Sequence, residues 1–170
     1  MKITIQGDKL KTILDMTDKN QFTFALHGIH FTENGDIVST DGRRMMIMKT
    51  EEKFNNKTVS FGKVKVKAKG YYTIELLEEH ATISVDGTVT KLAYSDSPFP
   101  NYKLLIPESK NKTELEMIRF NFSLFPNYLS GVMHFHGDYS PVLIDNLYNM
   151  KTEEDWTDMT MVLMPMKPKD

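Results

Sequence analysis

The strongest constraint on this fold is a series of short segments in which polar and apolar residues alternate, separated by tight-turn pairs. Lys2–Gln6 shows the alternation clearly, which is typical of a strand with one buried face. Asn-Gly and Asp-Gly pairs favour two-residue turns between antiparallel strands. They occur as Asn34-Gly35, Asp41-Gly42 and Asp86-Gly87. We therefore expect a β-rich chain built from short strands rather than from long helices.

Further strands are predicted where apolar or alternating runs lie between turns and polar stretches. They are Gln21–Phe31, Ile37–Thr40, Arg44–Thr50, Lys63–Lys69, Tyr72–Leu77, Ala81–Val85, Thr88–Tyr94, Leu115–Phe122, Met133–Gly137, Pro141–Asp145 and Met159–Met166. Ser97–Pro107 is predicted as a proline-bounded connector that continues into a polar linker. Leu147–Asp158 is predicted as a polar, acidic loop that holds Trp156.

Only two short helices are predicted. Asp8 is a candidate N-cap for the first, in which Leu10, Ile13 and Leu14 fall on one helical face. The second is predicted at Pro126–Val132. The chain thus divides into three similar blocks, beginning near residues 1, 58 and 114, with a helix expected in the first and the third.

Composition narrows the function classes. A chain of 170 residues has room for one domain or one and a half, and the absence of cysteine excludes disulfides, thiolate metal sites and cysteine nucleophiles. The N-terminal residues contain no apolar signal core, and no apolar run approaches the length of a membrane span. We expect a cytoplasmic protein without a membrane partner.

Catalytic chemistry has little support in the sequence. No nucleophile elbow, phosphate-binding loop or zinc-protease motif is present, so we expect neither an enzyme nor a cofactor. His134 and His136 would share one strand face, and with Asp138 they form a candidate metal site. Pairs of this kind are more often surface residues, so a small metal-dependent hydrolase is retained only as an alternative.

Charge is distributed unevenly along the chain. Residues 1–70 carry 13 basic and 8 acidic residues, a balance of +5, whereas residues 71–170 carry 8 and 15, a balance of −7. Within the basic part, the four lysines of Lys63–Lys69 would repel one another unless an anion neutralises them. A nucleic-acid backbone could do so, although lysines also protect solvated or edge strands from aggregation.

Several motifs, taken in order, resemble bacterial DNA polymerase III β subunits, the DNA sliding clamps. The segment Leu26–Phe31 followed by Ser39–Met45 resembles a strand with an L-x-G pattern before a T-D-G-x-R-L turn. Phe99–Tyr102 with Leu105–Pro107 looks like the family's F-P-D-Y-x-x-x-[LIV]-P segment. Met161–Lys167 is similar to the family's terminal V-V-M-P-M-R run, and Ser140–Ile144 looks like the strand before it.

The resemblance implies an α+β, β-rich DNA-clamp fold with few short helices and repeated β-α-β-β-β half-domain units. Residues 1–107 look like one complete clamp domain, and residues 112–170 look like a half-domain that completes a peptide pocket. The helix that the family would place near residues 63–72 is missing, because the lysine-rich segment stands there. We interpret the chain as an abbreviated clamp of phage or mobile-element origin.

The resemblance also implies partners and sites. The family's hydrophobic pocket receives short peptides from DNA polymerases and other replication or repair proteins. Matching positions here are Leu26, Thr40, Gly42, Arg43, Arg44, Met45, Pro100, Leu105, Val162 and Met164. Candidate contacts to double-stranded DNA, without sequence specificity, are Lys9, Lys11, Lys19, Lys63, Lys65, Lys67 and Lys69.

Two functions remain open within this interpretation. The chain could be a homo-oligomeric processivity factor that tethers a polymerase or another enzyme to DNA. It could instead be a capture protein that sequesters host clamp-binding peptides without encircling DNA.

Overall fold

The computed structural model describes residues 1–18, 26–107, 121–137 and 140–166. Twelve strands are present in these ranges, together with one α-helix, α1 (Gly7–Asp15), and short 3₁₀ helices at Tyr102–Leu105 and Phe122–Leu124. The strands are β1 (Lys2–Gln6), β2 (Gly28–Phe31), β3 (Asp36–Thr40), β4 (Arg44–Lys49), β5 (Lys57–Ser60), β6 (Tyr71–Leu76), β7 (Ala81–Val85), β8 (Thr88–Tyr94), β9 (Leu129–His134), β10 (Val142–Asn149), β11 (Glu154–Trp156) and β12 (Met159–Leu163).

The chain divides into two compact units. The first consists of Met1–Gly42 and Lys49–Pro100, and the second of Arg43–Met48 and Asn101–Asp170. The stretch that forms most of β4 therefore groups with the C-terminal unit although it lies inside the 1–107 range. The predicted division into domains 1–107 and 112–170 stays a prediction.

All the strand pairs of the first unit are antiparallel. Its strands run in the order β1-β6-β7-β8-β5-β2-β3. The predicted strands for β1, β7 and β8 have the observed bounds. Asp86 and Gly87 join β7 to β8 with φ angles of 48° and 78°, which is the two-residue hairpin turn expected of an Asp-Gly pair.

Helix α1 packs against the strands of this unit, and this contact buries its apolar stripe. Leu10 and Ile13 are fully buried and Leu14 is half-buried, as the spacing predicts. The Ser39 hydroxyl on β3 donates a hydrogen bond of 2.7 Å to the Ile13 carbonyl. The prediction of Asp8 as the N-cap is wrong, because Gln6 occupies that position and Asp8 lies in the first turn.

The predicted strand at Lys63–Lys69 is also wrong. A turn closed by a 2.9 Å hydrogen bond from Val64 N–H to the Phe61 carbonyl follows β5, with Gly62 at φ 51°. The chain beyond the turn forms no strand ladder before Tyr71. All four lysines are nevertheless exposed while Val64 and Val66 are half-buried. As predicted, no α-helix occurs in the second block, which begins near residue 58 and is described as far as residue 107.

The second unit is built around β10, which pairs along both of its edges. One edge pairs with β9, and the other pairs first with β12 and then with β11. β12 pairs in turn with β4, from Met159↔Met48 to Leu163↔Arg44. All of these pairs are antiparallel.

Three predictions for this unit are corrected by the structure. Pro126–Val132 is not a helix, because Leu129 already begins β9, and the described part of the third block contains no α-helix. Leu147–Asp158 is not a loop, because β10 and β11 form a hairpin there with Trp156 fully buried. His136 lies beyond the end of β9, so it does not share a strand face with His134.

Some predictions concern residues that the structure does not describe. Lys19, Asp138, Lys167 and most of the expected strand Leu115–Phe122 belong to those ranges. In the described ranges, α1 is far too short to cross a membrane, and no other helix qualifies.

Candidate functional site

The part of the predicted pocket contributed by the first unit is centred on the turn after β3. Thr40 is buried, and its hydroxyl oxygen accepts a hydrogen bond of 3.0 Å from the Gly42 N–H. Gly42 has a φ of 83°, a left-handed conformation that glycine adopts without strain. A Cβ at Gly42 would lie 3.9 Å from Leu26 Cδ1, so Leu26 is beside this turn.

Phe99, the residue before Pro100, is anchored to the sheet of the first unit by an aromatic stack. His30 on β2 stacks on Phe99, with ring centroids 4.6 Å apart and an interplanar angle of 2°. His30 Nδ1 also lies 3.0 Å from the Thr58 hydroxyl on β5. Burial lowers the pKa of His30 below its usual value, so the neutral ring is favoured. No sequence motif indicates this stack, because it joins residues far apart in the chain.

In the second unit, the ladder between β4 and β12 brings together five of the other predicted pocket residues, Arg43, Arg44, Met45, Val162 and Met164. Met45 pairs with Val162, and both side chains are buried in the core. The Met164 N–H donates a hydrogen bond of 2.9 Å to the Arg43 carbonyl, which extends the ladder beyond β12. Arg43 is exposed and Met164 half-buried, so these two residues present accessible side-chain surface at the end of the ladder.

Arg44 has a structural contact that the sequence did not predict. Its Nη1 donates a hydrogen bond of 2.8 Å to the carbonyl of Leu124 in the 3₁₀ helix Phe122–Leu124. Leu105 is half-buried in the other 3₁₀ helix, and its neighbour Leu104 is 82% exposed. Leu104 was not among the predicted site residues, and its exposure is unusual for a large apolar side chain.

The predicted DNA contacts form two stretches of the first unit. Lys63, Lys65, Lys67 and Lys69 are exposed on the extended segment, and Lys9 and Lys11 lie on α1, half-buried and exposed respectively. The Gly7 N–H donates a hydrogen bond of 2.8 Å to the Gly70 carbonyl. A Cβ at Gly7 would collide with the Lys67 and Ala68 carbonyls, so the segment passes directly against the first turn of α1.

The candidate metal site is not assembled from the described residues. His134 Nε2 lies 3.0 Å from Asp145 Oδ1, and His136 is buried with both ring nitrogens lacking a hydrogen-bond partner. Where the chain is described, no three metal-ligating side chains cluster together. Asp138 lies outside that part of the chain.

Comparison with solved structures identifies the architecture. Sliding clamps from Bacillus subtilis, Thermotoga maritima and Pseudomonas aeruginosa, the last bound to griselimycin, each superpose on 99% of this chain, with TM-scores of 0.63, 0.61 and 0.59. This chain has the DNA sliding-clamp fold. The resemblance inferred from the sequence motifs is thereby confirmed at the level of the fold, which is α+β and rich in strands.

The same comparisons define how far the likeness extends. Sequence identity to these three clamps is 14%, 13% and 14%, and the chain spans about two thirds of their length, with coverage of 65%, 66% and 66%. Neither the models of known protein families nor the sequences of curated proteins match the chain. The likeness to sliding clamps therefore rests on three-dimensional structure.

Proposed function

We propose that this protein is a non-enzymatic, sliding-clamp-like replication factor that keeps a DNA polymerase or another DNA enzyme on its template. The observation that carries the proposal is the superposition of nearly the whole chain, 99%, on solved bacterial clamps. The absence of recognisable catalytic motifs from the sequence agrees with a role in binding. The protein acts as a homo-oligomer on double-stranded DNA.

The proposed partner site is a peptide-binding pocket. Its residues are Leu26, Thr40, Gly42, Arg43, Arg44, Met45, Pro100, Leu105, Val162 and Met164. The exposed glycine turn offers backbone polar groups, and the aliphatic and methionine side chains supply adaptable apolar surface. Met45 and Val162 are buried, whereas Met164 and Leu105 are half-buried. In this proposal Met164 and Leu105 therefore contact the peptide, and Met45 and Val162 pack beneath them.

A peptide titration tests the pocket. A fluorescent peptide that carries Q-L-S-L-F, the pattern of peptides that bind the pocket of sliding clamps, should bind the wild-type protein. Met164→Ala should weaken binding because it removes accessible apolar surface. Gly42→Arg should abolish binding, since a bulky side chain would project from the turn beside Leu26. Fluorescence anisotropy measures both effects.

Met150→Ala is the matched control, because Met150 is 49% exposed and directly follows β10, outside the proposed site. Circular dichroism establishes that each variant is folded. Equal affinities of the wild type, Met164→Ala and Gly42→Arg would refute the pocket while leaving the fold assignment intact.

A further inference from the structure

The edge of β8 is unpaired over most of its length. β5 pairs with β8 only at Val59↔Tyr94 and Ser60↔Ala93. The Phe61–Val64 turn then directs the chain away from the sheet. In the part of the chain that the structure describes, no strand lies beside the remaining residues of this edge, Thr88–Leu92.

The hairpin register determines which backbone groups this edge offers. The two-residue turn at Asp86-Gly87 makes Val85 and Thr88 a pair that exchanges both hydrogen bonds, and such pairs alternate along an antiparallel ladder. The backbone N–H and C=O groups of Val89 and Lys91 consequently point away from β7. Both residues are exposed, Val89 to 65%.

A groove of about 600 Å³ lies next to the unpaired edge. Its apolar lining includes Val64 from the diverging segment and Ile83, Val85 and Leu92 from the β7–β8 hairpin. Its charged lining residues are all lysines: Lys63, Lys65 and Lys91. An occupant must therefore combine apolar side chains with negative charge.

We infer that this groove binds an extended acidic segment of a partner protein, which adds as a strand to the β8 edge. Main-chain hydrogen bonds to Val89 and Lys91 would hold the backbone of the added strand. Alternate side chains of a strand point to opposite faces, so aliphatic residues would enter the groove while intervening carboxylates meet the lysines. The chemistry that fits is a run of alternating aliphatic and acidic residues.

A second copy of this chain fits the groove less well. Among the described strands, β1 pairs only with β6 and β9 only with β10, but neither strand carries a carboxylate. β11 carries Glu154 and Asp155 but has only three residues, fewer than the five of the open edge. The inferred site is separate from the proposed pocket, so either can fail without the other.

The probe is a labelled seven-residue peptide of alternating valine and glutamate, with a valine–lysine peptide as the charge control. The wild type should bind the valine–glutamate peptide and should not bind the valine–lysine peptide. Val89→Pro removes an edge N–H without removing a hydrogen bond to β7, and should weaken binding about tenfold, the effect of losing roughly 1.4 kcal/mol. Val89→Thr keeps the N–H and should bind like the wild type.

Charge-reversal variants distinguish peptide binding in this groove from DNA binding by the same lysines. The double variant Lys63→Glu, Lys65→Glu should weaken binding of the acidic peptide, whereas Lys53→Glu, an exposed change outside the groove, should not. Unchanged peptide binding in the double variant together with lost DNA retention would overturn the inference in favour of nucleic acid. Sedimentation showing a wild-type oligomer that Val89→Pro dissociates would overturn it in favour of a second copy.

Discussion

At the scale of single residues, His30 couples two strands to the connector that precedes Pro100. It contacts Thr58 on β5 and stacks on Phe99, and burial lowers its pKa. A histidine whose pKa is lowered in the folded state binds its proton more readily in the unfolded state. The contribution of the neutral His30 ring to the free energy of unfolding is therefore fully present above about pH 6.5, the usual pKa of histidine in an unfolded chain. It is lost as the pH falls towards the lower pKa that His30 has in the folded protein.

We expect the melting temperature of the wild type to fall, relative to that of His30→Phe, as the pH is lowered from above 6.5 into the acidic range. Phenylalanine keeps an aromatic ring against Phe99 but cannot titrate. Thermal unfolding of both proteins over a pH series measures the difference. Parallel curves for the two proteins would contradict the role assigned to His30.

Gly28, the glycine of the L-x-G pattern, has a packing reason for its identity. A Cβ there would lie 2.4 Å from the Val59 carbonyl oxygen on the paired strand β5. A Cβ at Gly62, by contrast, would meet no described atom within 4 Å, and only the φ of 51° opposes a side chain there.

Gly28→Ala should therefore lower the free energy of unfolding by about 2–3 kcal/mol, because backbone must move to relieve the clash. Gly62→Ala should lower it by no more than about 1 kcal/mol. Urea titrations provide both values. A larger loss in Gly62→Ala than in Gly28→Ala would show that close packing of β2 on β5 is not the constraint.

At the scale of elements, the sequence predicts hairpins well and extended segments poorly. β7 and β8 are correct to the residue because an Asp-Gly turn separates two β-rich runs. The alternation of Lys63–Lys69 predicts which side chains face solvent, and it is observed as far as Lys67, whereas Ala68 is exposed like its neighbours. It does not report whether a neighbouring strand accepts the hydrogen bonds, which depends on the Phe61–Val64 turn.

The β10–β11 hairpin was missed because its residues are polar. Trp156, the only tryptophan, is fully buried at the end of β11 and pairs with Leu147. Burial of this one side chain distinguishes the hairpin from a solvated loop.

Trp156→Ala should therefore destabilise the protein by about 3–5 kcal/mol, the usual cost of deleting a large buried aromatic side chain. Chemical denaturation monitored by far-UV circular dichroism measures the loss, with Asp155→Ala as the exposed neighbouring control. The wild-type fluorescence should be blue-shifted until the protein unfolds. A loss below about 1 kcal/mol, typical of a surface position, would contradict the observed burial.

At the scale of the whole molecule, the near-neutral charge conceals a basic surface in the first unit. The extended segment with Lys63, Lys65, Lys67 and Lys69 passes against the first turn of α1, which carries Lys9. The sequence identified these lysines but could not bring them together, because the contact depends on Gly7 and the backbone of Lys67. For the pocket, the sequence supplied motifs but not the burial that separates supporting from accessible residues.

If the protein holds DNA as proposed, changing these four lysines to glutamate should reduce its retention on nicked circular DNA. The dependence of binding on salt should also weaken, since fewer counterions are released. Changing Lys53, Lys57 and Lys151, which are exposed and outside the basic segment, should have little effect. Native mass spectrometry of the wild type gives the number of copies. A monomer that never loads onto DNA would instead support the capture function.

The grouping of β4 with the C-terminal unit has a consequence for how the protein is made. Met45 pairs with Val162, so roughly a hundred residues must be synthesised after β4 before its partner strand exists. At about 5–20 residues per second, the segment Met45–Met48, which is buried in the folded protein, remains without its partner strand for several seconds or longer during synthesis. The ladder between β4 and β12 is thus among the last contacts to form during biosynthesis. Until then β4 exposes apolar side chains and an unpaired strand edge, which are the features that chaperones bind.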